Sequence, residues 1–149
     1  MIGTDENELT PTPFYLTWLD EIGDDLIRQL DMWEACGDVE LVERCGLSSI
    51  SRAEQCEIME AIESNLHPIK TISRYSPSSY AIKHAAEDWV GFYVSELQAR
   101  TVLHILGYRS TVTDAHPRYN VSLKAWHKFK EESFNRYMAD KHDKVCMTA

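Results

Sequence analysis

The sequence predicts a mainly α protein, a single-domain helical bundle with a helix–turn–helix-like pair at its centre. Three observations carry that expectation. Apolar residues recur at helical spacing through most of the chain, and capping residues stand where each such run begins. Nothing sustains the two-residue alternation that a sizeable sheet needs. At 149 residues the chain makes one domain, expected to bury about 70% of its unfolded surface.

The central pair lies between Arg74 and Arg109. Ser78 or Ser79 caps a helix whose apolar side is Ile82, Ala85, Ala86, Trp89 and Val90. Ser95 caps a second, holding Leu97, Ala99, Val102, Leu103 and Leu106. Gly107 then stands where a helix stop favours positive φ.

In chain order, residues 1–11 offer almost nothing to bury and read as a disordered acidic tail. Thr12-Pro13 starts a helix carrying Phe14, Tyr15, Trp18, Leu19 and Ile22. Beyond Gly23, Asp24-Asp25 cap a segment with Leu26, Ile27, Leu30 and Trp33, stopped at Gly37. Asp38 caps VELVERC, which Gly46 closes. Ser51-x-x-Glu54 has the capping-box form and opens a run with Ile58, Ala61, Ile62 and Leu66, ended by Pro68. HPIKTISRYSPSS is extended or irregular, because a proline disfavours α geometry in the residue before it. Residues 110–121 combine β-formers with turn residues, and Pro117 excludes a helix, so a short β-hairpin or wing is expected there. Ser122 caps a last helix with Leu123, Trp126, Phe129 and Tyr137, and the tail 141–149 frays. Helices are expected over 13–22, 24–36, 38–45, 52–66, 79–90, 96–106 and 123–140, within one domain spanning 12–140.

Charge is distributed unevenly. Residues 1–65 hold 16 Asp and Glu against 3 Arg, a formal −13. Residues 66–110 hold 3 acids against 5 cations, and residues 111–149 hold 5 against 7, each segment +2. The domain thus has an acidic half, 12–65, and a mildly basic half, 66–140, an asymmetry that points to a charged partner. The N-terminus reads as neither a secretory signal nor a transit peptide, and no apolar run is long enough to span a bilayer. A cytoplasmic location, with no membrane partner, is expected.

The residues that carry chemistry form no familiar constellation. The four cysteines match no zinc or redox spacing; Cys36, Cys45 and Cys56 read as small apolar residues on helices, and Cys146 as an exposed tail thiol. No two histidines have the helical spacing of metal ligands, so neither metal nor cofactor is expected. His84, with Glu87 as its orienter, resembles a base dyad. Lys83 and Glu87, however, stand four apart like an ordinary surface pair, and no nucleophile motif or phosphate loop accompanies them. No enzymatic activity is expected.

Two binding surfaces remain. Asp20, Glu21, Asp24, Asp25, Asp31 and Glu34, with the ladder Glu57, Glu60 and Glu63, could form a negative face for a basic groove of a host or element protein. The plainer explanation of these carboxylates is a solubilising surface. The alternative is a helix–turn–helix-like nucleic-acid-binding regulator built on residues 70–100. There Lys70, Arg74, Tyr80 and Lys83 would supply phosphate contacts and stacking, and Gln98 and Arg100 would meet a groove. Its charge of +2 is small for that role. Self-association is compatible with either.

The central stretch carries an unusual pattern: Pro-Ile-Lys-Thr at Pro68–Thr71, Arg74, then Ser78, Ser79, Tyr80, Ile82, Lys83, His84 and Glu87. It continues with Gly91, Tyr93, Val94 and Ser95 and ends at Gly107-Tyr108. It resembles the central motif of small uncharacterised proteins of bacteriophages, prophages and plasmids, over roughly a third of the chain. Where those carry Asn-Gly after the serine, this chain has Glu96-Leu97. The resemblance implies a mobile-element setting and no catalytic residues. Together with the charge split, it makes inhibition of a nucleic-acid-handling defence complex, of the anti-CRISPR or anti-restriction kind, the concrete expectation.

Overall fold

The structure, a computed structural model, describes residues 12–112 and 114–148, with side chains described between 17 and 142. Its helices are α1 (Thr12–Ile22), α2 (Asp24–Glu34), α3 (Val39–Cys45), α4 (Arg52–Asn65), α5 (Ser79–Val90), α6 (Glu96–Ile105) and α7 (Leu123–Thr148). A single 3₁₀ turn at Leu47–Ser49 joins α3 to α4, and no strand forms among the described residues. The chain is mainly α, as its apolar periodicity predicts.

Most helix starts follow from the expected caps. The Asp38 carboxylate accepts from Leu41 N, and Ser78 Oγ accepts from Ala81 N. Ser51 and Glu54 make a reciprocal capping box, and Ser95 and Gln98 make another. Each such cap contributes about 1 kcal/mol. At α2 the N-cap is Gly23, without a side-chain bond, and Asp24 and Asp25 sit inside the first turn, where the helix dipole favours anions.

Three stretches differ from expectation by more than one residue. α2 stops at Glu34, because Cys36 and Gly37 both take left-handed backbone, with φ of 52° and 83°. Cys36 is therefore exposed and off the helix, whereas Cys45 and Cys56 do lie on helices. Over 110–121 the hairpin shrinks to an isolated bridge between Ser110 and Tyr119. Thr111 N donates to Arg118 O (2.9 Å) and Asn120 N to Arg109 O (3.1 Å) on either side of it. α7 continues past Lys141 to Thr148, where fraying was expected. The acidic tail expected over 1–11 and the Cys146 thiol lie outside the described residues and side chains.

One core serves the described residues. Ile58, Met59 and Ile62 of α4 cluster with Ile82, Val102, Leu103, Val121 and Phe129 from the second half. α1 packs on α4, α2 on α6, and α5 against both α6 and α7. The acidic and basic halves are thus interlocked in one body. α7 docks by Trp126 and Phe129, the latter 5.6 Å from the Trp89 ring centroid, while Phe134, Tyr137 and Met138 further along are exposed. Between them Ser133 is fully buried, and its hydroxyl has no hydrogen-bond partner among the described residues. Removing an unsatisfied buried hydroxyl is neutral or favourable. Ser133→Ala should leave the melting temperature unchanged or raise it, by up to about 1 kcal/mol in stability.

Candidate functional site

Two of the residues expected on the acidic face are inside the protein. Asp31 lies on the apolar stripe of α2, one turn after Ile27, and is fully buried. Its carboxylate accepts from Leu47 N (3.0 Å), Ser48 N (2.8 Å), Ser48 Oγ (2.6 Å) and Thr101 Oγ1 (2.7 Å). It thereby ties α2 to the 3₁₀ turn and to α6. Gly46 is required beside it, since a Cβ there would stand 2.6 Å from Asp31 Oδ2. Three residues on, Glu34 accepts from Arg100 Nε (3.3 Å) and pairs with His104 Nδ1 (2.8 Å), its side chain only 14% exposed. Asp31 and Glu34 are corrected accordingly: they bind within the fold and leave no carboxylate for a partner.

The residues nominated for a nucleic-acid groove are also partly internal. Gln98 is buried in its capping box and donates to Gly46 O, and Arg100 is held by Glu34. α6 has Leu97, Gln98, Ala99, Thr101, Val102 and Leu103 buried, so it cannot lie in a groove as a recognition helix does. Lys83 is buried too, its Nζ 3.3 Å from Glu87 Oε1 and 4.6 Å from the Tyr93 ring centroid. Lys83, Gln98 and Arg100 are thus corrected from contact residues to supports of the α5–α6 connection. Lys70, Arg74 and Tyr80 remain exposed.

That connection accounts for much of the central motif. Glu87 also accepts from Val94 N (3.1 Å), fixing the turn into α6, and Gly91 takes the left-handed stop of α5 with φ of 85°. Ser79 Oγ donates to Glu96 Oε2 (2.5 Å), and His116 Nδ1 lies 2.8 Å from the same oxygen. His84 packs edge-on against Tyr80 rather than meeting Glu87. Burial pushes the Tyr119 phenol well up, with Glu34 adding to the effect. Among the described residues, no group of three or more His, Cys, Asp and Glu is placed to hold a metal ion.

Asp88, beside this connection, gives a pH-dependent expectation. Burial raises its carboxyl above the ordinary range, Glu87 adds to the shift, and His84 opposes it. A raised folded value favours the fold below the ordinary carboxyl pKa of about 3.9, and that contribution is lost as pH rises through the folded value. Asp88→Asn should therefore raise the melting temperature near neutral pH and leave it unchanged at about pH 3.

The other carboxylates do face outward. Asp20, Glu21, Asp24, Asp25, Glu57 and Glu63 are exposed and Glu60 is half-buried. Arg52 partly neutralises the α1–α2 corner, reaching Asp20 (2.9 Å) and Asp24 (2.6 Å). The burial and charge around Tyr108, Glu63 included, push its phenol up to about 12. On α2 the outward stripe joins Asp25 to Leu26, Gln29 and Trp33, all exposed. Trp33 is 74% exposed and edges a cleft of about 500 Å³, lined also by Met32, Arg100, Val112 and Pro117. Leu26 and Trp33, expected on the apolar side of this helix with Ile27 and Leu30, are therefore on its outward side instead.

Comparison with protein-family models, curated proteins and solved structures finds no match to this chain. No helix among the described residues is long and apolar enough to cross a membrane.

Proposed function

We propose that this chain is a mobile-element accessory protein that binds a basic host or element protein through the outward face of α2 and its neighbouring carboxylates. The observation that carries the proposal is the exposed stripe of Asp25, Leu26, Gln29 and Trp33. Exposed ion pairs contribute little affinity, so an acidic surface alone binds weakly. A tryptophan beside a cleft supplies the anchor such a surface needs, because aromatic residues in desolvated pockets carry most binding energy. The surrounding carboxylates then act on rate, steering a positively charged groove toward the anchor.

A CRISPR effector or restriction enzyme in the cytoplasm presents a groove of the required sign, the one that receives nucleic acid. Occupying it would inhibit the complex without any catalysis by this protein. Titrated into DNA-cleavage reactions of such enzymes, the purified protein should inhibit one of them. Trp33→Ala should weaken inhibition about tenfold or more. Asp25→Lys with Glu57→Lys should slow association and flatten its salt dependence. Inhibition of none, or inhibition indifferent to Trp33→Ala, would overturn the reading.

A further inference from the structure

On the basic half, the segment after α4 forms a closed loop. Ile69 N donates to Asn120 O (2.8 Å) and Tyr119 N donates to Pro77 O (3.0 Å), so the two ends of the loop meet at adjacent residues. Two arginines brace these ends: Arg109 donates to Lys70 O, and Arg118 Nη1 donates to Ser76 O (2.7 Å). At the tip, Ser73 N donates to Ser76 Oγ (2.8 Å) and Tyr75 N to Ser73 Oγ (3.1 Å), which fixes a tight turn. That turn holds Arg74 and Tyr75 outward, Tyr75 being 64% exposed with the Arg74 guanidinium 4.9 Å from its ring centroid.

Among the described residues, no carboxylate lies within ion-pair distance of Lys70, Arg74, Arg109 or Arg118. Four cations left without counter-charges, gathered by one loop and its braces, make a site for a polyanion. We propose that this loop binds single-stranded nucleic acid, with the cations on successive phosphates and the Tyr75 ring stacked on a base. Nucleic acid is favoured over an acidic protein because the tip offers a flat aromatic face beside its charges, the pairing that single-stranded recognition uses. A pre-ordered tip also lowers the entropic cost of binding. The proposal rests on the loop and its braces alone and stands whether or not the α2 face binds a protein.

The test is fluorescence anisotropy with oligonucleotides of about twelve residues, DNA and RNA, over a salt series. Three or four phosphate contacts predict a log–log salt slope of about −2 to −3. Arg74→Ala should make that slope shallower by about 0.7. Tyr75→Ala should weaken binding about tenfold or more at unchanged slope, and Tyr75→Phe should retain it. Both positions are exposed, and a melting curve for each variant checks that the fold is kept. No binding at low salt, binding indifferent to both variants, or tighter binding to a polyglutamate peptide of equal length would each overturn the proposal.

Discussion

Replacing Asp31 with alanine is expected to lower the unfolding free energy by about 3 kcal/mol or more. The loss follows from what the carboxylate holds. Leu47 N–H, Ser48 N–H and the Thr101 hydroxyl all turn inward toward it, and no solvent reaches Asp31 to replace it. Each buried donor left without an acceptor costs about 1–3 kcal/mol. Asp31→Asn keeps the shape but presents an amide N–H₂ to a site made of donors, so it should fall between alanine and the native residue. Gly46→Ala strikes the same place, because its Cβ would lie 2.6 Å from Asp31 Oδ2 and 2.7 Å from Val42 O. The double variant should cost less than the sum of the two, since removing the carboxylate removes one of the clashes. Urea unfolding measures all of these, and a loss below about 1 kcal/mol for Asp31→Ala would show that this seam does not hold α2 to α6.

Phe129→Ala is expected to cost about 3–5 kcal/mol. Phe129 is 1% exposed and sits between Trp89 and Trp126, where α7 meets α5. The cavity cannot refill easily, because the neighbouring rings are themselves fixed: Arg136 lies over Trp89 at 4.0 Å and Lys130 over Trp126 at 5.6 Å. α7 is about 39 Å long at 1.5 Å per residue, and the described aromatic docking lies in its first half. Truncating Phe129 should therefore release amide protection along α7 before the rest of the body. Hydrogen exchange that remains uniform across all helices would contradict that order.

The helices were legible because their signals are local. Ser51 with Glu54, or Ser95 by itself, announces a helix within four positions, and the structure uses both caps, with Gln98, expected at a groove, completing the second box. The site was less legible because its partners are distant. Asp31 and Thr101 are 70 residues apart, so a carboxylate that holds the core together reads in one dimension like one that faces water. A sharper signal was present: Ile27, Asp31 and Glu34 fall on one side of α2, and an acid on an apolar stripe implies an internal partner. Lys83 misled for a related reason, since the charge on its tip hides how much of its stem is packed. For Arg109 and Arg118 no local cue exists, because only the folded chain brings them to the ends of the 69–77 loop.

The pinning of that loop has a consequence for how the chain may be cut. Its ends are held by Asn120 and Tyr119, and the peptide bonds between them carry little of the load. A protease that cleaves after Arg74 would open the backbone at an exposed tip while α4, α5 and α6 kept their shared core. The nicked protein should travel as one particle under native conditions and separate into two peptides only in denaturant. By the same geometry, new termini placed at this tip should be accepted. On that expectation the fold's integrity resides in its contacts across the two halves, and the covalent link between them at this point should be dispensable.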